Sequence, residues 1–345
     1  MRALLLALLA GFAAWSAYPS DAVVAWDGTA SMILVAHDAR IEAFDGDGLR
    51  RLWTVEGLPH PTTIVVSPDG ATAAVIDPLS NRAILVNVPS GKSTALTTGA
   101  TPIDGQFVGS TLYLLDRDAA EVERFGADPS RAHIAVAADP AFIRRSARLL
   151  YVYSRSGGAL QEIDPSSDRI VRSVEAGASA SAMELDGSYA YLVHPQRGKI
   201  EVIDLRTMRA AGEIAVGTVP TDLAFIREGT AITARRFAVA DPAAKRIWQL
   251  EGAESQTKAM ARGFLRGLIG LRLYSGRHDD YPTGIDRLLA SGTTLLAYDS
   301  SSRTLYAEAR GKPIAIATGI GPASFAITSA GVVVWENGGL HRKTK

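Results

Sequence analysis

The sequence predicts an all-β fold, a β-propeller of four-stranded blades about forty residues long. Three observations carry this expectation. A proline or small residue opens a short apolar strand at nearly regular intervals. Four short apolar or alternating runs follow within each interval. Gly and Pro, at 32 and 16 of 345 residues, punctuate the runs.

The opening strand is clearest in Pro61-Thr62-Thr63-Ile64-Val65-Val66-Ser67-Pro68-Asp69-Gly70. The stretches from Pro220 to Gly229 and from Pro19 to Gly28 have the same length. Repeat starts fall at Pro19, Pro61, Pro102, Pro140, Ala180, Pro220, Pro282 and Pro322, with gaps of 42, 41, 38, 40, 40, 62 and 40. One long gap implies an insertion of roughly 22 residues in an otherwise constant period.

After the Gly turn comes a second run, such as Ala73-Ala74-Val75-Ile76 or Leu112-Tyr113-Leu114-Leu115. Such continuous apolar runs read as strands buried on both faces. A polar loop leads to a third, more alternating run, such as Arg40-Ile41-Glu42-Ala43-Phe44 or Lys199-Ile200-Glu201-Val202-Ile203. A weaker fourth run closes the unit, as in Arg51-Leu52-Trp53-Thr54-Val55. A single four-stranded sheet cannot cover its own two faces, so stacking against neighbours rewards repetition. The last unit, from Pro322 to Lys345, has room for two or three strands. The expectation is therefore seven full blades plus a partial eighth, in a seven- or eight-bladed ring whose termini meet to protect the free edges.

Ser67-Pro68-Asp69-Gly70 after an apolar strand, then Asp77, then Asn81-Arg82-Ala83-Ile84-Leu85-Val86, resembles the YVTN-type, lactonase-like propeller repeat. Lys199-Ile200-Glu201-Val202-Ile203-Asp204 is similar. The resemblance covers residues 19 to 345 loosely, and several blades lack the Ser-Pro-Asp-Gly turn. It implies the fold more than a function, because relatives include exported proteins of no known activity, lactonases and haem-associated proteins.

The long gap places an insertion near 254–280. Within it, Met260, Phe264, Leu268 and Leu271 would share one face of a helix, with Arg262 and Arg266 opposite. Gly263, Gly267 and Gly270 weaken that helix. Three readings compete: a segment packed on its own blade, a partner-docking helix, and a basic amphipathic helix making peripheral membrane contact through 259–273.

Lys plus Arg equals Asp plus Glu, at 36 each, so no bulk field draws nucleic acid and no such partner is expected. Cysteine is absent, which removes thiol catalysis, disulfides and Cys-type metal sites. Arg2 followed by Ala3-Leu4-Leu5-Leu6-Ala7-Leu8-Leu9-Ala10 and then Ala14-Trp15-Ser16 reads as a signal peptide, cleaved after Ser16. An uncleaved anchor or a buried first strand are the alternatives. The expected organisation is a signal peptide over 1–16 and one propeller domain over 17–345, periplasmic or secreted.

No Gly-x-Ser-x-Gly elbow, His-Glu-x-x-His pair, phosphate loop or dinucleotide fingerprint occurs. The six histidines are scattered, and no metal ligand set or cofactor is legible. Asp45-Gly46-Asp47-Gly48 lacks the later ligands of a calcium loop and reads as a turn. Trp53 and Trp248 read as packing residues. Loops between second and third strands should open on one face of the ring. They carry His37, Arg82, Asp116, Arg155, His194 and Arg197. One reading makes this rim a ligand site, with Arg82, Arg155 and Arg197 as anion donors and His37 or His194 as base or ligand. The other makes it turn chemistry, in which short polar side chains bond nearby backbone.

The leading functional expectation is an exported, non-enzymatic scaffold that binds an envelope protein or a small ligand. A lactonase-like hydrolase would need carboxylates and imidazoles converging on a metal near the axis. A haem- or quinone-binding propeller would need an axial His or Met in the funnel.

Overall fold

The computed structural model describes residues 22–27, 31–126, 132–226, 236–251, 277–309 and 312–343. Eight antiparallel sheets follow one another along the chain, seven of four strands and a last one of three. Blade 2 shows the logic of all of them. Its strands are Thr63–Val66, Thr72–Asp77, Arg82–Asn87 and Ser93–Thr97. The second strand is a run of small and β-branched residues with almost every position buried. The fourth, Ser-Thr-Ala-Leu-Thr, is exposed along nearly its whole length. The innermost strand is half-buried, burial peaks at the second, and from there it falls outward, as the change from continuous to broken hydrophobicity in the sequence implies.

Innermost strands contact those of the next blade around the ring, as Pro102–Val108 of blade 3 meets Pro140–Ser146 of blade 4. Each interface between neighbouring blades holds its own apolar cluster. Tyr151, Tyr153 and Leu160 of blade 4 pack with Met183, Ala190 and Leu192 of blade 5. Phe237, Val239 and Leu250 of blade 6 pack with Tyr191, Val193 and Ile200 of blade 5. No single central core exists; the fold is held by apolar area removed from water between sheets, at about 25 cal/mol per Å².

The ring closes between the first and last blades. Blade 1 completes its four strands from residues 23–56 alone. Val24 N–H donates to the Ala323 carbonyl at 2.8 Å, and the Ser324 hydroxyl to the Ala22 carbonyl at 2.8 Å. Ala22, Val24, Ile33 and Val35 pack with Ala326 and Val333. Eight blades, the last three-stranded, therefore replace the seven-or-eight alternative. Closure uses packing between complete sheets rather than a strand lent by one terminus to the other blade, among the described residues.

The insertion is narrower than the sequence spacing implies. Arg277–Asp280 is the fourth strand of blade 6, paired with Arg246–Glu251, so the boundary at 280 is corrected to 276. The extra chain joins the third and fourth strands of that blade. Met260, Arg262, Phe264, Arg266 and Leu268 lie outside the described residues, as does the expected signal peptide.

One backbone feature recurs in all eight blades. The residue just before the third strand has positive φ: Ala39, Asn81, Ala120, Gly158, Gly198, Lys245, Arg303 and Gly338, between 51° and 74°. Only three are Gly. The turn is fixed by the geometry of the hairpin, and five blades accept the left-handed conformation at a non-glycine residue, at a cost of about 1 kcal/mol.

Candidate functional site

The turns between second and third strands meet the links between blades at one end of the ring, called the upper face here. The last residue of the second strand is polar and buried in blade after blade: Asp77, Asp116, Ser154, His194, Asp241 and Asp299. In five of these blades it ties down local backbone. Asp77 accepts from the amides of His60 (3.1 Å), Leu79 (2.9 Å) and Ser80 (3.1 Å), joining the incoming link to its own turn. Asp241 accepts from Thr218 (2.6 Å), Val219 (3.2 Å) and Ala244 (3.2 Å) in the same way. The Ser154 hydroxyl donates to the Ala137 carbonyl at 2.8 Å. Asp299 accepts from the Ser301 amide at 2.9 Å. His194 Nδ1 lies 3.1 Å from the Ala178 carbonyl.

Of the six rim residues expected to bind ligand, four are buried or engaged by neighbouring groups. His194 is 2% exposed and held by backbone, and burial, outweighing that bond, lowers its affinity for a proton. His37 lies 3.2 Å from both Asp38 and Glu42 and 4.3 Å from the Trp335 ring, so it serves the seam between blades 1 and 8. Arg197 pairs with Glu201 and Glu213. Asp116 is fully buried rather than presented on the rim. His37, Asp116 and His194 stand on blades 1, 3 and 5, so the convergence a metal-dependent hydrolase needs is not formed by these three. Two rim residues keep free charge. Arg82 is exposed and forms no ion pair among the described residues. The Arg155 guanidinium lies 5.3 Å from the Phe142 ring, with Nε donating to the Ala180 carbonyl at 3.4 Å.

The turn reading of Asp45 holds: its carboxylate accepts from the Gly48 amide (2.5 Å) and the Arg50 amide (2.9 Å). Trp53 donates through Nε1 to the Val88 carbonyl at 2.9 Å and packs between blades 1 and 2.

The innermost strands carry a chain of charges that the sequence reading missed. Arg144 Nη1 bonds Asp104 at 2.6 Å and its Nε approaches Glu184 at 3.4 Å. Asp222, on the innermost strand of blade 6, accepts from the Leu223 (2.9 Å) and Leu288 (2.8 Å) amides, and burial pushes its carboxyl up to about 6. A charged residue in several opening strands, such as Asp104, Arg144, Glu184 and Asp222, was the available signal, hidden inside runs read as apolar. No His lies on an innermost strand among the described residues, and Met183 there is 1% exposed between blades 4 and 5. The axial ligand expected for a haem-type site is thus not supplied by those strands.

Blade 3 holds a cluster of different character. Register pairs Asp116 with Glu121 and Glu123 with His133, placing all four on one face of the sheet. His133 Nδ1 is 3.2 Å from Glu121 Oε1 and 3.5 Å from Glu123 Oε1. The Gly99 amide donates to Glu123 Oε2 at 3.0 Å. Neither carboxylate oxygen of Asp116 has a hydrogen-bond partner. Burial, then the Glu123 and Glu121 charges, push the Asp116 carboxyl up to about 8.

Neither a family model nor a curated protein matches the chain. Solved structures do. A chain of Kuenenia stuttgartiensis hydrazine synthase superposes with a TM-score of 0.64 at 14% identity, over 89% of this chain and 100% of that one. Dihydro-heme d1 dehydrogenase NirN, in complex with DHE, gives 0.64 at 13% identity over 86% of this chain and 66% of its own. The Cps50 (Swd1) propeller domain of Myceliophteria thermophila gives 0.60 at 12% identity, over 82% and 95%. At such identities the likeness speaks to architecture alone, and with the eight sheets it establishes the chain as an eight-bladed β-propeller.

Proposed function

We propose that the chain is an exported, non-catalytic propeller of the YVTN-repeat type that holds an anionic group of a ligand or partner protein on its upper face. Arg155 carries this reading. Its guanidinium lies against Phe142, no carboxylate among the described residues pairs with it, and its one hydrogen bond leaves most of its donor fork unused. An arginine stacked on an aromatic ring is preorganised for carboxylate or phosphate. Arg82 adds a second exposed cation on the same face. Asp77, Asp241 and Asp299 on that face are taken up by the turns and links they hold. The N-terminal apolar run supports export, and the segment over 259–273 supports a further partner or membrane contact; both rest on sequence pattern.

The test is a cross-linked pull-down from the source envelope with wild-type chain and with Arg155→Ala and Arg82→Ala. Loss of one defined partner in Arg155→Ala, at unchanged melting temperature, supports the reading. Retention in both variants, cross-links confined to the lower face, or turnover of a lactone by the purified chain overturns it.

A further inference from the structure

Blade 3 gathers more buried acid than nearby cations meet. The third residue of the third strand is an acid in three blades: Glu42, Glu123 and Glu201. Each is buried. Glu42 is met by Arg51 at 2.9 Å and His37 at 3.2 Å; burial would raise its carboxyl, but these partners hold it below the usual range. Glu201 is met by His194 and Arg197, each at 3.5 Å. Glu123 faces two further carboxylates, Asp116 and Glu121, and the single imidazole of His133. No Lys or Arg pairs with these three acids among the described residues. The nearby Arg117 goes to Asp118 and Arg124 to Asp168.

This surplus charge is not needed for the fold. In blade 4 the equivalent residue is Gln161, whose Oε1 accepts from the Ala137 amide of the link at 2.7 Å. A neutral amide thus does there what Glu123 does for Gly99. Asp116 points the same way: it is 0% exposed with neither oxygen in a well-formed hydrogen bond, a state in which the group must take up either a proton or a cation. A Cβ placed on Gly99 would lie 3.0 Å from both Asp116 Oδ2 and Glu121 Oε1, so the two oxygens converge beneath that glycine.

We propose that Asp116, Glu121, Glu123 and His133 bind one divalent transition-metal ion. The ligand atoms of Glu121, Glu123 and His133 all lie within 4.8 Å of one another. Tetrahedral zinc with bonds of 2.0–2.1 Å requires ligand atoms about 3.4 Å apart. The separations of 3.2 and 3.5 Å about His133 Nδ1 are close to that requirement, and Asp116, outside this group of three, would have to turn inward to complete the shell. An imidazole among carboxylates suits Zn²⁺ or Mn²⁺, whereas Ca²⁺ and Mg²⁺ take oxygen shells. The Gly99 amide orients Glu123 from outside the shell, a common support for a metal-binding carboxylate. The ion would clip the third and fourth strands of blade 3 to the end of its second strand.

The experiment uses the full chain, stripped with chelator and titrated calorimetrically with ZnCl₂, MnCl₂, CaCl₂ and MgCl₂, with melting followed in parallel. A single equivalent of Zn²⁺ or Mn²⁺ should bind and raise the melting temperature. Glu121→Gln, Glu123→Gln and His133→Ala should each weaken binding by about 10-fold or more. Glu123→Gln copies the blade 4 arrangement and His133 is half exposed, so both variants should fold. Asp116→Asn should weaken binding yet raise the melting temperature of the stripped chain, opposite signs that a purely structural carboxylate would not give. His278→Ala, on blade 6, should leave binding unchanged. No binding at millimolar metal, unaltered affinity in Glu123→Gln and His133→Ala, or a preference for Ca²⁺ would overturn the proposal.

Discussion

Replacing Asp77 with Ala separates the architectural from the ligand-binding reading of the upper face. Asp77 is fully buried and accepts three backbone amides, those of His60, Leu79 and Ser80, at 2.9 to 3.1 Å. Hydrogen bonds to a charged acceptor contribute about 1.5–3 kcal/mol each. The turn amides lie beside Leu79, 73% exposed, where water replaces much of what is lost. The His60 amide belongs to the link that enters blade 2, so its bond fixes the position of a whole sheet. A net cost of about 3 kcal/mol follows, and for a chain of this size a fall in melting temperature of about 5 °C. Calorimetry at fixed scan rate measures the fall, and amide exchange should accelerate at 60, 79 and 80 before it does elsewhere. Arg82→Ala, five residues away and exposed, should stay within about 0.5 kcal/mol of wild type. A melting temperature for Asp77→Ala within about 1 °C of wild type would refute the claim that these carboxylates exist to hold the links.

Val333→Ala removes two methyl groups from a fully buried position in the cluster between the last and first blades, and should destabilise by about 2 kcal/mol; limited proteolysis should then begin at that seam. Burial raises the Asp222 carboxyl to about 6, so the folded chain keeps a proton that an unfolded chain has released. Stability should accordingly fall as pH rises from about 4 to 6, by about 1–2 kcal/mol after allowance for solvent along the axis, and Asp222→Asn should flatten that part of the denaturation profile.

The period and its four pieces were readable because they come from burial, and burial writes itself into hydrophobic pattern. The insertion showed as a single broken gap. Its end was misplaced because Arg277-His278-Asp279-Asp280 is an exposed fourth strand with no apolar signal. The rim residues were legible at their turns, but their surroundings were not. His37, Asp116 and His194 carry the residue types of a binding site, but what surrounds them comes from far along the chain: the Ala178 carbonyl of the incoming link for His194, and the Trp335 ring of the last blade for His37. The blade 3 cluster was invisible for a related reason. Glu121-Val122-Glu123 reads as ordinary alternation, and only the pairing of three strands brings Asp116 and His133 beside it.

A repeat offers its own control, because each blade shows what the shared position needs. The left-handed turn residue is tolerated as Ala, Asn, Lys, Arg or Gly, so its identity carries no message about ligands. The strand-two terminus must be polar, and Ser154 meets that need without charge. The link amide must find an acceptor, and Gln161 provides one without charge. Charges beyond those needs are what remain for recognition. By that subtraction Asp77, Asp241 and Asp299 are accounted for by the backbone they hold, and Glu42 and Glu201 by the guanidinium groups of Arg51 and Arg197. Arg155, Arg82 and the acids of blade 3 are left over. The first two suit an anion and the third a cation, and they sit on different blades.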